Sequence, residues 1–234
     1  MSKWINKDLF NNFKKTKENE QDSGQSFTKR MDIVWKTPEK GTIDKAKIYE
    51  LRFLPDKNGI FYQKYFYHMF KVGEKWFFDL CTKSFPVGSP NLSNFCPFCT
   101  LSNKLYKGTQ ADKAIAKNYF KKERFVGNIF VVKDLRDVEI ENEEDKSTGK
   151  VKLYEFPGKV EMKLKAEIID ERNGLGASIF DPGEDGYNFI LKIHSTKPDK
   201  EGKTWPDYAN SIFGRKPGPI AETEEEISKI MENT

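Results

Sequence analysis

Four residues, His68, Cys81, Cys96 and Cys99, constrain the fold of this chain more than any other feature of its sequence. They are spaced His-x12-Cys-x14-Cys-x2-Cys, and they use all three cysteines and one of the two histidines in the protein. Three thiolates and one imidazole are a standard tetrahedral set for structural zinc. The close Cys96-Pro-Phe-Cys99 pair gives two ligands from one tight knuckle, and the distant His68 and Cys81 close the tetrahedron. A metal held this way crosslinks a stretch of chain too poor in core to fold alone. Other readings fit the residues less well. A thiol oxidoreductase on Cys96 and Cys99 expects a βαβ frame, whereas VGSPNLSNF before the pair reads as a loop. A zinc deaminase needs His-x-Glu ahead of Pro-Cys-x-x-Cys, but Met69 and Phe70 follow His68, and Phe95 precedes Cys96. Buried core cysteines are the plainest alternative. His194, in FILKIHS, reads as an ordinary strand residue.

The 234 residues suffice for one larger domain or two small ones. Nineteen Phe, nine Tyr and four Trp are more aromatics than a core of this size requires, so some are expected at a contact surface. No run approaches the roughly 18 apolar residues of a membrane span, and MSKWINKDLFNNFKKTK lacks the apolar segment of a secretory signal. With cysteines in metal-like spacing, the expected compartment is a reducing cytoplasm. The net charge of +4 conceals a polarity along the chain. Residues 1–45 carry ten Lys/Arg against seven Asp/Glu, a balance of +3; residues 46–136 carry sixteen against seven, or +9; residues 137–234 carry fourteen against twenty-two, or −8. A basic middle beside an acidic end suits a surface that meets a polyanion.

Periodicity organises the chain into short strands and long loops. Leu9, Phe10 and Phe13 suggest a short N-terminal helix, followed by the polar link ENEQDSGQS. In KIYELRFLP, Tyr49, Leu51 and Phe53 share one face of a strand, while Ile48, Glu50 and Arg52 share the other, which aims Arg52 out of the sheet. GIFYQKYFYHMF and KWFFDLC form a hairpin with His68 and Cys81 on its two arms. PFCTLSNKLYK and TQADKAIAKNYFKK read as helices, and FVGNIFVVKD, VKLYEFPGK and YNFILKIH as strands. VEMKLKAEII continues the β-pattern, although a helix fits it equally. ETEEEISKIMEN closes the chain as a short acidic helix. The fold class expected is mainly β with α insertions: a five-stranded OB-type barrel plus a structural zinc-binding subdomain. The domains expected are a flexible basic segment over 1–42, an OB core over 43–221 with the zinc subdomain at about 62–124, and an acidic helix or start of a tail over 222–234.

Single-stranded nucleic acid is bound by a basic groove with aromatic faces on which bases stack. Three stretches interleave the two residue types: Tyr119 to Phe125, which includes Lys121, Lys122 and Arg124; Lys150 to Phe156, which includes Tyr154; and Lys203 to Tyr208, which includes Trp205. Trp205 and Tyr208 stand out because two large aromatics in a loop have little core to enter. Tyr154 and Phe156 share a strand face and suit either stacking or a barrel core. No paired carboxylates, Ser/His/Asp set or phosphate-cradling glycine loop points to catalysis.

These residues carry a resemblance. LRFLPDKN (51–58), the His68–Cys99 set with GEKWFF (73–78), NIFVVKD (128–134) and TWPDYANSIF (204–213) resemble the helix-destabilising single-stranded DNA-binding proteins of T-even-type phages over roughly residues 43–213. The resemblance implies an OB barrel, a zinc subdomain and a basic cleft for DNA between them. It places a cleft arginine at Arg52, a basic pair among Lys121, Lys122 and Arg124, and stacking aromatics at Tyr106, Phe125, Tyr154, Trp205 and Tyr208. It also implies a head-to-tail cooperativity motif, matched loosely by Lys14-Lys15-Thr16-Lys17 or by Thr28-Lys29-Arg30. The sequence departs from the family in having Val126 where a second aromatic is expected and a longer gap between Cys81 and Cys96; the long acidic tail that the resemblance also implies is matched by ETEEE alone, as a short helix or as the start of that tail. The expected function is coating and protecting single-stranded DNA in phage replication, recombination and repair, in the cytoplasm of an infected bacterium. Self-association along DNA and phage replication and recombination proteins are the expected partners, with no membrane. The alternative is a zinc-ribbon module docking an acidic replication or transcription factor.

Overall fold

The computed structural model describes residues 33–36, 38–84 and 95–234, so the N-terminal helix and both cooperativity candidates, Lys14 to Lys17 and Thr28 to Arg30, lie outside the described residues. Strands dominate, with helices inserted between them. The described residues form two compact units, one of residues 33–62 and 127–234, the other of residues 63–126.

The larger unit is built on β1 (Lys47–Leu54), which pairs antiparallel with the second half of β4 (Lys122–Lys133) and with β6 (Phe189–Ser195). The register slips between Glu50, opposite Lys133, and Leu51, opposite Val131, marking a bulge. Alternate residues Tyr49, Leu51 and Phe53 are fully buried, as the period of two requires. Phe53 meets Phe156 of β5 (Val151–Phe156) at 5.4 Å and Phe189 of β6 at 5.7 Å between ring centroids, both edge-to-face. Trp35 packs edge-on against Tyr49 and Tyr154 at 5.6 and 5.1 Å, which makes the core of this unit largely aromatic.

Residues 158–169, whose alternation also suited a strand, form a helix. Val160, Leu164 and Ile168, the apolar residues it buries besides Glu161, are spaced by four, which satisfies the periods of both a helix and a strand. Met162, 69 % exposed, and the exposed Ala166 decide between them, because a strand would bury both with the others. Pro157 at the N-cap ends β5 and opens the helix.

The smaller unit is a three-stranded antiparallel sheet with two helices. β2 (Gln63–Val72) pairs with β3 (Lys75–Leu80) on one side and with residues 122–126 of β4 on the other. Gly73, at φ +60°, makes the tight β2–β3 turn. Then come α1 (Pro97–Tyr106) and α2 (Gln110–Ala116), the latter opened by a reciprocal Thr109–Asp112 capping box. The remaining helices are α3 (Gly158–Ile169) and α4 (Glu224–Met231).

The mainly β, antiparallel character stands, but the strand pairing differs from a closed five-stranded barrel. Eight strands are hydrogen-bonded in the order β3-β2-β4-β1-β6-β7, with β5 on β4 and β8 (Ile212–Phe213) on β6, and the path stays open. β7 (Pro206–Asp207) and β8 have two residues each, too little ladder to close a barrel among the described residues. No helix among the described residues is long and apolar enough to cross a membrane.

Candidate metal centre and nucleic-acid interface

His68 lies on β2, Cys81 just after β3, and Cys96 and Cys99 at the start of α1, all buried within the smaller unit. Their ligand atoms all lie within 4.8 Å of one another. His68 Nε2 is 3.2 Å from Cys96 Sγ and 3.7 Å from Cys99 Sγ, and Cys81 Sγ is 3.6 Å from Cys99 Sγ. A tetrahedron with metal–sulfur bonds of ~2.3 Å has edges of ~3.8 Å, whereas a disulfide needs ~2.05 Å. All three cysteines are free, so the four groups fit one metal ion.

Local structure prepares these donors. Cys96 is the N-cap of α1, its Sγ accepting from the Cys99 backbone N–H at 3.5 Å, and Pro97 follows in the first turn. The Tyr119 carbonyl, which can only accept, sits 3.0 Å from His68 Nδ1. The proton therefore belongs on Nδ1, and Nε2 keeps its lone pair toward the thiols. Burial pushes the His68 pKa down, which favours the neutral ligand form. Burial pushes the Cys81 and Cys99 thiols up, Cys99 to about 12, with both neighbouring thiols adding to the rise at Cys99, and Cys96 adding to it at Cys81 while the hydrogen bond to Cys99 acts downward there. Burial also acts upward on Cys96, but hydrogen bonds led by the Cys99 backbone N–H bring it below the usual thiol value. Three thiolates packed so closely call for a cation among them. Phe66 completes the buried cluster, and Phe98 packs against it.

The residues expected to meet nucleic acid are distributed unevenly. In the larger unit, Tyr154 is 2 % exposed and Phe156 fully buried, so both are core. Arg52 is 1 % exposed, against the expectation that it points out to solvent. It does lie on the opposite face of β1 from Tyr49, Leu51 and Phe53, but loops far along the chain cover it. Its Nε donates to Asn188 Oδ1 at 2.9 Å, Nη2 to the Gly218 carbonyl at 2.7 Å, and Nη1 to the Asp181 carbonyl. Burial lowers its pKa to about 10, the Asp181 and Glu50 charges acting in the opposite sense. Trp205 is 56 % exposed. Its backbone is fixed by the Thr196 N–H at 2.8 Å and Thr196 Oγ1 at 3.0 Å, and its indole N–H donates to Asp199 Oδ2 at 3.3 Å. Tyr208 is half-buried.

In the smaller unit, Phe125 is 3 % exposed and belongs to the core, whereas Tyr106 is 52 % exposed and packs on Phe120 with centroids 5.6 Å apart. Lys121 and Lys122 are exposed and Arg124 is half-buried. Lys121 Nζ lies 3.5 Å from the centroid of Phe66, and the Arg124 guanidinium 5.7 Å from that of Tyr67.

A model of the gp32 DNA binding protein like family matches residues 48–234. The chain belongs to this family. No curated protein sequence matches it. The gp32 DNA binding protein like match includes the four candidate ligands and every described residue of the expected interface.

Reading the sequence left out two exposed aromatics within the same match, Trp76 and Phe78 of β3, 63 % and 61 % exposed. The signal was present. With His68 facing the three cysteines, the two-residue β2–β3 turn puts Phe77 toward α1, where it meets Phe98 at 5.1 Å, and so turns Trp76 and Phe78 to the opposite face.

Proposed function

We propose that this gp32 DNA binding protein like chain binds single-stranded DNA without catalysis and with little sequence preference. Membership of a DNA-binding family carries the DNA reading. Exposed aromatic rings near basic side chains support the single strand, because only unpaired bases offer faces to stack on. Trp205 lies beside Thr204, whose carbonyl and hydroxyl accept from Lys40 Nζ at 2.5 and 2.7 Å. In the smaller unit Tyr106, Lys121, Lys122 and Arg124 offer the same combination. Preferential binding pulls melting equilibria toward single strands by mass action, which suits coating of DNA during phage replication, recombination and repair. Self-association along the strand and contacts with replication proteins belong to the same reading, as does an OB-type character for the larger unit.

His68, Cys81, Cys96 and Cys99 would hold one zinc ion. Four protein ligands leave no open coordination position, so the ion's contribution is a structural crosslink. This chain's own residues do the rest: the Tyr119 carbonyl orients the imidazole, and Phe66 and Phe98 exclude water from the thiols.

Titration of intrinsic fluorescence with poly(dT) across a salt series tests the function. Quenching is expected, with an affinity that falls steeply as salt rises. Trp205→Ala should weaken binding by about 10-fold, the loss of one stacked base, while leaving thermal unfolding unchanged. Absence of binding at low salt would refute the reading.

A further inference from the structure

β4 begins at Lys122, opposite Tyr67, so the last residues of β2 have β3 on one side and no strand on the other. A surface cavity of about 350 Å³ fills that missing position, lined by Met69 and Lys71 of β2, Trp76 of β3, Lys117 and Tyr119 of the turn after α2, and Lys122. No acidic side chain lines it. Among the described residues, none of its three lysines forms a salt bridge. Lys71 Nζ lies 5.4 Å from the Trp76 ring centroid, which sets a positive charge beside a flat, exposed aromatic surface. Phe78 lies two residues along the same strand face, about 7 Å away by strand geometry, far enough for each ring to meet its own base. The far wall is anchored to the metal centre, because the Tyr119 carbonyl that faces His68 Nδ1 belongs to the turn carrying Lys117.

We infer that this cavity is a nucleotide subsite on the path of the single strand, with a base stacked on Trp76 and the phosphates that flank it held by Lys71, Lys117 and Lys122. The inference rests on the single-strand reading above and adds a site to it. The cavity volume lies at the lower end of the range for small-ligand pockets. Cations without acidic partners favour a polyanion, and an aromatic ring among them favours one that carries bases.

The test is fluorescence titration with oligo(dT) of increasing length on the intact protein, comparing wild type with Trp76→Ala, Trp76→Phe and the double variant Lys71→Gln/Lys117→Gln. These side chains are at the surface, so metal content and melting temperature serve as controls for folding. Trp76→Ala should lose about 10-fold in affinity for long oligomers, and Trp76→Phe should recover most of it. The lysine double variant should flatten the slope of log K against log salt by about 1.4, or ~0.7 per phosphate contact on a single strand. Wild-type affinity and slope in all three variants would place the cavity off the strand. A cavity built for an acidic peptide would show the same unchanged DNA binding with loss of poly-glutamate binding in Trp76→Ala, and would overturn the inference equally. Failure of wild type itself to bind oligo(dT) would instead refute the single-strand function.

Discussion

Substituting Arg52 separates a structural arginine from a DNA-contacting one. In Arg52→Met, Asn188 Oδ1 and the carbonyls of Asp181 and Gly218 lose their guanidinium donor together. An unpaired acceptor costs about 1 to 3 kcal/mol where it is buried, as the Asp181 carbonyl is, and less at the partly buried Asn188 and Gly218, and relief of the buried charge offsets part of the sum. The expected loss is about 3 kcal/mol. With a urea m-value of about 2 kcal/mol/M, the midpoint falls by roughly 1.5 M. Arg52→Lys should recover little, because an ammonium cannot reproduce the planar fork. Gly186→Ala should act in the same direction, since a Cβ there would lie 1.9 Å from both Arg52 Nη1 and the Asp181 carbonyl oxygen. The assay is urea unfolding followed by near-UV circular dichroism, with oligo(dT) affinity measured on the folded fraction. Stability falls and affinity per folded molecule holds if Arg52 is part of the core. Full stability with weakened, less salt-sensitive DNA binding would refute this and return Arg52 to the interface.

Cys99→Ser, or chelation of the wild type, should remove one equivalent of metal per chain and abolish hydrogen-exchange protection in α1 while β1 keeps its own; protection retained in a metal-free protein would exclude a structural ion. Asp134 accepts from Arg136 and, at 2.8 Å, from Trp35 Nε1. Burial acts to raise its pKa, but these hydrogen bonds and the Arg136 charge hold it below the ordinary carboxylate range. Its stabilisation is therefore present above about pH 4 and lost as pH falls through the lower folded value. Asp134→Asn should cost about 3 kcal/mol at pH 7, and its difference from wild type should shrink toward zero near pH 2; a difference independent of pH in urea titrations would contradict this.

The convergence of His68, Cys81, Cys96 and Cys99 was legible in the sequence because ligand chemistry restricts residue type and spacing at once, and β1 because burial on one face imposes a period of two. Arg52 shows where such reading stops. Its alternation on the strand is correct, but the groups that bury it lie more than 120 residues away along the chain, at Asp181, Asn188 and Gly218. Tyr154 and Phe156 were compatible with core and interface alike, and only the packing of Trp35 and Phe53 around them decides for the core. The 158–169 helix was ambiguous because its buried spacing of four is common to both periods. Trp205 emerged correctly as exposed, whereas Tyr208, singled out on the same ground, is half-buried.

The double use of Cys96, as N-cap and as candidate ligand, has a kinetic consequence. A ten-residue helix such as α1 is too short to persist alone in water, and forming its first turn is the unfavourable step. An ion captured by Cys96 and Cys99 fixes that first turn in the act of binding. Metal capture and helix nucleation then become one event, and the reloading rate of a stripped chain would scale with ion concentration multiplied by the small fraction of time the knuckle is closed.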